Sequence, residues 1–310
     1  MLNVRRSLAQ CAPIKAMKNL LLAYGRSITY ALSPALLAKL RYRFAWGEWP
    51  DLRNPQSYDE KLLWLMLYWR HPLKTQCGDK YTMRSYVEEQ GLGHILPKLL
   101  GVYELIKDID FATLPDQFVL KCTHGCKCNI FCKNRLELDV EEAKKNLKAW
   151  MRIDFSRILG EIHYGKMKPR IICEEFLQEP GAELPTDYKI YCFHGKAHCT
   201  MVCAQRSPNG KARLEFFDRE WKVKLPYSLL AMPGDQIIAK PSAYEEIIEA
   251  AERLSKPFPF VRVDFYNIND RAVLGEMTFT PGACISESYM TQVSQKQLGD
   301  LIKLPETYLG

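Results

Sequence analysis

Arg262-Val263-Asp264-Phe265, followed one hairpin later by Gly275-Glu276-Met277-Thr278-Phe279-Thr280-Pro281-Gly282, decides how this chain is read. Both halves alternate polar and apolar residues with a period of two, as half-buried strands do. The pattern predicts strands over Phe260–Phe265 and Val273–Met277, ending at a Pro281-Gly282 turn. Each strand puts an acidic residue on the face opposite a hydrophobic neighbour. Pairing the two then brings Asp264 and Glu276 together, with Thr278 on the face of Glu276. Two hard carboxylate oxygens and a neutral oxygen suit Mg²⁺ when phosphates complete its shell. On their own, two solvated strand carboxylates are an equally good reading.

Support comes from upstream. Asp79-Lys80 stands at a predicted helix start, and Lys121 ends the apolar run Phe118-Val119-Leu120 just before a turn containing His124-Gly125. Two ammonium groups so placed suit a polyphosphate, and a lysine ending a buried strand needs a partner because an unpaired buried charge is costly. Glu174 and Glu175, at the end of the next strand, add an acceptor and a backbone edge able to read an adenine.

The rest of the chain reads as mixed helix and strand with many antiparallel connections. Ser57-Tyr58-Asp59-Glu60 is a capping box, opening a deeply buried helix with Leu62, Trp64, Leu65, Met66, Tyr68 and Trp69. A second helix is predicted from near Asp79 to Gly91, with Tyr86 and Val87 inward. Phe118–Cys122 and Asn129–Cys132 read as a strand and its return, and Asp139 with Glu142 caps a helix running to Trp150. Arg170–Phe176 is a further strand. Tyr188–Phe193 and His198–Cys203 read as a hairpin turning at Gly195-Lys196 in a type II′ loop. Ser242 and Glu245 are expected to cap a helix with Ile247, Ala250, Ala251 and Leu254 inward. The aromatic stretch Phe216-Phe217-Asp218 with Trp221 reads as core packing, with a sugar-stacking groove as the alternative.

That order of motifs resembles the ATP-grasp superfamily. Asp79-Lys80, then Phe118–Lys121 and its turn, then Cys173–Leu177, Arg262–Asp264 and Glu276–Thr278 with Pro281-Gly282 look like its successive signatures. The segments Ser57–Lys61, Leu99–Tyr103, Lys121–Gly125, Asp187–Lys189 and Phe258–Asp264 look like the TupA-like branch, with the resemblance covering roughly residues 50–303. That branch is named for teichuronopeptide synthesis and occurs among bacterial surface-polysaccharide genes.

The resemblance implies an α+β fold in which two subdomains grip ATP. It implies that Lys80 and Lys121 hold the ATP phosphates beside the turn residues His124, Gly125 and Lys127. Glu174 would bond the adenine amino group, with Glu175 and the Leu177 backbone at the ring. Asp264, Glu276 and Thr278 would hold Mg²⁺, and Arg262 would face the developing acyl phosphate. Lys189 and Arg206 would be further phosphate or carboxylate contacts. The implied chemistry is carboxylate activation by the γ-phosphate, then amine attack to give an amide. The carboxylate would belong to a uronic acid or an amino acid, the amine to an amino acid or amino sugar, and the material to a surface (capsular) polysaccharide or lipid-linked glycan. Phosphoryl transfer needs positioning and charge neutralisation more than covalent help, which suits a chain offering cations and carboxylates.

The chain departs from the family at two places. Thr278 stands where Asn is usual, and Cys126 and Cys128 stand where small glycines let a backbone approach phosphate. These departures motivate one alternative, a non-catalytic ATP-grasp binding subunit. The other alternative is a nucleotide-sugar glycosyltransferase; against it, the only Asp-x-Asp, Asp108-Ile109-Asp110, lies in a polar connector.

Composition bounds the rest. The 310 residues are 47% hydrophobic and 25% charged, an ordinary globular balance, and no apolar run approaches the ~20 residues of a membrane span. No secretory apolar region follows the basic start. Eight of the 43 basic residues precede Glu48, the first acidic residue, which leaves 35 against 36 acidic ones. The excess charge thus sits in one arm, and a nucleic-acid partner loses its support. The arm, residues 1–47, is expected to be helical, interrupted at Pro34, and either docked on the body or laid on an anionic membrane surface. Residues 48–112 are expected to form a mostly helical domain, 113–178 a lid subdomain, and 179–310 a C-terminal subdomain with the metal site.

Eleven cysteines, an odd number in a large chain, suggest free thiols in a reducing cytoplasm, with the arm able to hold the protein at the inner membrane face. Cys122, Cys126, Cys128 and Cys132 lie close together, but their spacing is not that of paired metal ligands. Free thiols are the first reading, a redox-sensitive pair or a metal the others. Cys192, His194, His198 and Cys199 are split across a hairpin in a way that does not favour zinc.

Overall fold

The computed structural model describes residue 22 and residues 25–204, 213–231 and 238–306. Arg206 lies outside the described residues.

Pro34 interrupts the helical run over 25–32 and starts helix α1 (Pro34–Trp46), capped by the Ser33 side chain. Helix α2 (Tyr58–Tyr68) has a complete capping box: Glu60 N donates to Ser57 Oγ at 3.3 Å and Ser57 N to Glu60 Oε2 at 3.0 Å. Two short helices follow, α3 (Pro72–Gly78) and α4 (Met83–Glu89). The helix expected from Asp79 therefore begins four residues later. Asp79 Oδ1 accepts from Tyr81 N and Thr82 N at 2.9 and 3.0 Å, closing a turn that competes with helix there. Tyr86 and Val87 point inward as expected.

Strands β1 (Leu99–Tyr103), β2 (Phe118–Cys122), β3 (Asn129–Cys132) and β4 (Ile171–Glu175) form an antiparallel sheet in the order β1-β4-β2-β3. Helix α5 (Val140–Trp150), capped by Asp139, puts Ala143 and Leu147 into a core with Phe118, Leu120 and Ile171. The short helix α6 (Phe155–Leu159) lies beyond it. Because β1 pairs with β4, this sheet begins before the residue 113 boundary expected from the sequence.

Strands β5 (Asp187–Phe193), β6 (Lys196–Ala204), β7 (Arg213–Asp218), β8 (Lys224–Leu225), β9 (Phe260–Ile268) and β10 (Arg271–Thr278) form a second antiparallel sheet, ordered β10-β9-β5-β6-β7-β8. Helix α7 (Tyr244–Ser255) buries Ile247, Ala250, Ala251 and Leu254 against it. Helix α2 packs into the same core. Its Tyr58 ring meets Phe260 edge-on at 5.4 Å, and Phe260 meets Phe193 at 5.2 Å; such pairs contribute ~0.5–1.5 kcal/mol each beyond area burial. Helix α8 (Gln292–Leu301) closes against α2 so tightly that a Cβ on Gly299 would lie 2.4 Å from the Gln56 carbonyl oxygen.

Two local expectations are corrected. The β5–β6 turn is His194-Gly195, both at positive φ, with Phe193 paired to Lys196, so the loop falls one residue earlier than expected. Ser242 does not cap α7, which has no side-chain cap bond; its hydroxyl engages Asn267 and Asp270 at the β9–β10 turn.

One irregularity sets the site. The β9–β10 register shifts between Leu274 and Glu276, making Gly275 an extra residue. Before the bulge Leu274 faces the core opposite Phe265; after it Met277 does. Glu276 and Thr278 are thereby turned onto the other face, opposite Asp264 and Arg262.

Candidate active site

Between the two sheets lies a cleft of about 500 Å³. Its six-stranded side is built by alternation: Arg262 and Asp264 share a face of β9, Asp187 and Lys189 share a face of β5, and Glu276 and Thr278 share a face of β10. Register does the rest, since Asp264 lies directly opposite both Lys189 and Glu276. Its four-stranded side offers Lys121 of β2 and Lys127 in the following turn, with an apolar wall that includes Val119, Phe131, Phe176, Leu177 and Leu184.

The charged groups are densely coupled. Arg262 grips Asp264 with two bonds, Nε to Oδ1 and Nη2 to Oδ2, both 2.7 Å. Lys189 Nζ donates to Asp264 Oδ2 at 2.6 Å and lies 2.5 Å from Asp187 Oδ2. Burial alone would strip the Lys189 proton, but Asp187 and Asp264 hold its pKa above the ordinary value. Arg262 Nη2 also donates to Thr278 Oγ1 at 3.2 Å, and Thr278 Oγ1 donates to Glu276 Oε1 at 3.3 Å. Burial works against the Glu276 charge, yet Lys80, Lys189 and Arg262 outweigh it and hold this carboxyl down at about 2. Glu276 is therefore ionised throughout the physiological range.

Lys80 spans the cleft. Its backbone N–H donates to Thr123 O at 3.2 Å and its Nζ to Gly125 O at 2.6 Å, both in the turn after β2. The same Nζ sits 3.4 Å from Glu276 Oε2 on β10. Gly125 is held close for this bond, since a Cβ there would lie 2.1 Å from the Phe155 ring. Lys127, at φ 60°, adopts a left-handed conformation that costs a non-glycine residue ~1–2 kcal/mol.

Of the residues singled out in the sequence, Lys80, Lys121, Lys127, Glu175, Leu177, Lys189, Arg262, Asp264, Glu276 and Thr278 all line this one cleft. Three lie behind its wall. Glu174 is buried, and its two carboxylate oxygens are committed to Lys121 Nζ at 2.6 Å and Arg84 Nη1 at 3.2 Å. That pairing supplies the partner a lysine ending a buried strand needs. His124 is buried beneath the turn, and Gly125 contributes its carbonyl.

Sequence reasoning missed Arg41, Arg84, Glu161 and Tyr164. Arg41 comes from the basic arm, yet its Nη1 donates to Leu159 O at 2.6 Å and Ala283 O at 3.1 Å, at the cleft wall. Glu161 is buried beside it and accepts from Thr280 Oγ1 at 2.5 Å. Burial pushes the Glu161 carboxyl up to about 7, with the Thr280 bond and the Arg41 and Lys74 charges only partly offsetting it. No local pattern marks either residue. For Arg84 a signal existed: it lies one helical turn beyond Lys80.

A family model for TupA-like ATP-grasp proteins matches residues 60–303. The chain belongs to this family. Its fold is the α+β ATP-grasp fold, with the cleft between two antiparallel sheets. Among solved structures, the L-amino acid ligase of Bacillus licheniformis is similar at 17% identity with a TM-score of 0.46, over 77% of this chain and 53% of that one. The D-alanine–D-alanine ligase of Bacillus anthracis is similar at 14% identity with a TM-score of 0.44, over 73% and 66% of the two chains. This chain thus spans from about half to two thirds of the length of those two ligases. No curated protein sequence matches it.

The residues present fit the groups the family implies. Glu276 is ionised and partly open to the cleft, Thr278 adds a hydroxyl, and Asp264 Oδ1 carries a single hydrogen bond, leaving an acceptor position free. These hard oxygens suit Mg²⁺. Lys80, Lys121 and Lys127 give the cations a triphosphate needs, and the wall around Phe176 and Leu177 an apolar seat for a base.

Proposed function

We propose that the protein is an ATP-dependent carboxylate–amine ligase. The observation that carries this reading is the gathering of Lys80, Lys121, Lys189 and Arg262 with Asp264, Glu276 and Thr278 around one cleft in a chain of this family. When bound, ATP supplies the phosphoryl group that activates a carboxylate, and Mg²⁺, held by Asp264, Glu276 and Thr278, neutralises phosphate charge. Lys121, held rigid by Glu174, and Lys80, held by Gly125, bind phosphate oxygens as fixed cations. Arg262, oriented by its two bonds to Asp264, faces the activated carboxylate and stabilises negative charge as the amine adds to the carbonyl carbon and phosphate leaves. The attacking amine must lose a proton. Glu161, raised to about 7, is a cleft carboxylate with a basicity suited to accept it.

We further propose that the material is a bacterial surface polysaccharide or lipid-linked glycan, with a uronic or amino acid as the carboxylate. What supports a membrane-side location is the arm, in which Leu32, Leu36, Phe44 and Arg43 are exposed. No helix among the described residues is long and apolar enough to cross a membrane. A second reading, a nucleotide-binding subunit without turnover, is favoured by one observation: Asp264 already receives three bonds from Arg262 and Lys189.

The deciding assay supplies ATP, Mg²⁺ and a panel of uronic acids, amino acids and amines. ADP and phosphate are expected only when both co-substrates are present, and Glu276→Gln and Lys121→Ala are each expected to abolish ADP formation with the fold retained. Wild-type rates in both variants would remove the site assignment. Thermal stabilisation by ATP with no turnover on any pair would establish the second reading.

A further inference from the structure

Behind the cleft lies a second cavity of about 690 Å³. The two spaces share walls. Asp79 lines the cavity and Lys80 the cleft; in the following wall Ile162 and His163 line the cavity, while Glu161 and Tyr164 line the cleft. The cavity is strongly basic: Arg70, Lys74, Lys166, Lys168 and Arg170 line it against one carboxylate, Asp79. Lys168 and Arg170 share Glu104, which is not part of the lining. Arg70 and Lys166 are exposed at the rim, with no ion-pair partner among the described residues.

Lys74 is the deciding group. It is only 3% exposed, and its Nζ donates to a single protein acceptor, Leu65 O at 2.9 Å, with the Trp69 ring centroid 5.9 Å away. An ammonium has three donors, so two are unused among the described residues. Burial lowers its pKa to about 8, which leaves it mostly charged at neutral pH. Two more buried polar atoms of the same lining, Asp79 Oδ2 and His163 Nδ1, have no hydrogen-bond partner among the described residues. Each buried group left unmatched costs ~1–3 kcal/mol, and Lys74, Asp79 and His163 all belong to the lining of this one space.

We propose that this cavity is a second binding site, separate from the nucleotide cleft, for a small oxyanion-bearing molecule. Lys74, Arg70 and Lys166 take its phosphate or carboxylate group. The inference does not rest on the ligase reading, because its residues are not those of the cleft chemistry.

Trp69 in the cavity wall provides the probe. The full chain is titrated at constant ionic strength with glycerol phosphate and, separately, with gluconate, following tryptophan fluorescence and heat of binding, with sodium chloride as the control. Saturable binding at one molecule per chain is expected for at least one of the two. Binding of the phosphate ester alone assigns a phosphate ligand, of gluconate alone a carboxylate ligand, and of both the shared oxyanion. The Arg70→Ala/Lys166→Ala double variant, altered only at exposed positions, is expected to raise Kd at least tenfold with an unchanged thermal midpoint. Lys121→Ala in the cleft is expected to leave Kd unchanged. No saturable binding of either molecule, affinity that survives the double variant, or affinity lost in Lys121→Ala would each overturn the proposal.

Discussion

The cleft and the basic cavity are built from similar residues on opposite sides of one wall, yet they treat charge differently. In the cleft Lys80, Lys121, Lys189 and Arg262 each face a carboxylate within 3.4 Å. In the cavity the cations outnumber the carboxylates, and among the described residues Lys74 Nζ has one hydrogen-bond acceptor, the Leu65 carbonyl. Balanced charge fixes side chains in place before any ligand arrives, the preorganisation that transferring a charged group requires. Unbalanced charge leaves the stabilisation to whatever binds. The first arrangement suits chemistry, the second recognition.

The contrast can be broken most severely at its most balanced point. Asp264→Ala leaves Arg262 without its doubly bonded partner and Lys189 with Asp187 alone, and removing one member of a buried ionic group costs ~3–5 kcal/mol. Urea denaturation is expected to show a loss of that size; a loss below 1 kcal/mol would mean the network is held by other contacts.

Glu161 is the cleft carboxyl that balance reaches least. Raised from an ordinary value of 4.5 to about 7, it holds a proton in the folded state that the unfolded chain has already lost across that window. Stability therefore falls as pH rises from about 4.5 to about 7, by on the order of 3 kcal/mol, and levels off above. Asp59, pushed up to about 6 by burial, adds a decline of the same sign. Glu161→Gln is expected to flatten the thermal midpoint against pH over this window, leaving the Asp59 part; parallel curves for variant and wild type would contradict the assignment.

A smaller change is expected on the four-stranded side. Glu174→Gln removes the charge that Lys121 and Arg84 share, at ~1–3 kcal/mol, and should weaken thermal stabilisation by ATP. The smallest belongs to the cavity rim: Arg70→Ala should shift stability by no more than ~0.5 kcal/mol, because Arg70 is exposed and has no ion-pair partner among the described residues. A large loss there would mean that the cavity is balanced after all.

How much of this was legible in the sequence depended on how far each signal reached. The capping box at Ser57, the Asp139 cap and the β2–β3 pair carry their information within a few residues, and each formed as read. Asp264 and Glu276 stand opposite each other as expected, but through the bulge at Gly275, which a period-two reading of Val273–Met277 does not contain. Where a distant partner decided, local reading failed. Ser242 was expected to cap α7 and instead bonds Asn267 and Asp270, residues brought near by the β9–β10 turn. The β5–β6 turn moved by one residue because Phe193 pairs with Lys196, which leaves His194 and Gly195 to make the loop. Arg41 and Glu161 became cleft residues through the docking of α1 and the 161–164 segment, and no spacing in either stretch announces that.

The extra residue at Gly275 sets a frame in which β10 is read. Straightening the bulge with Gly275 kept in regular alternation would swing Glu276 and Thr278 into the apolar interior and bring Met277 onto the face of Arg262 and Asp264. Deleting Gly275 itself would instead join Leu274 to Glu276 in regular alternation and keep the Glu276 and Thr278 side chains on the cleft face. In the chain as it stands, the conformation of one glycine thus decides which face the acid of β10 occupies.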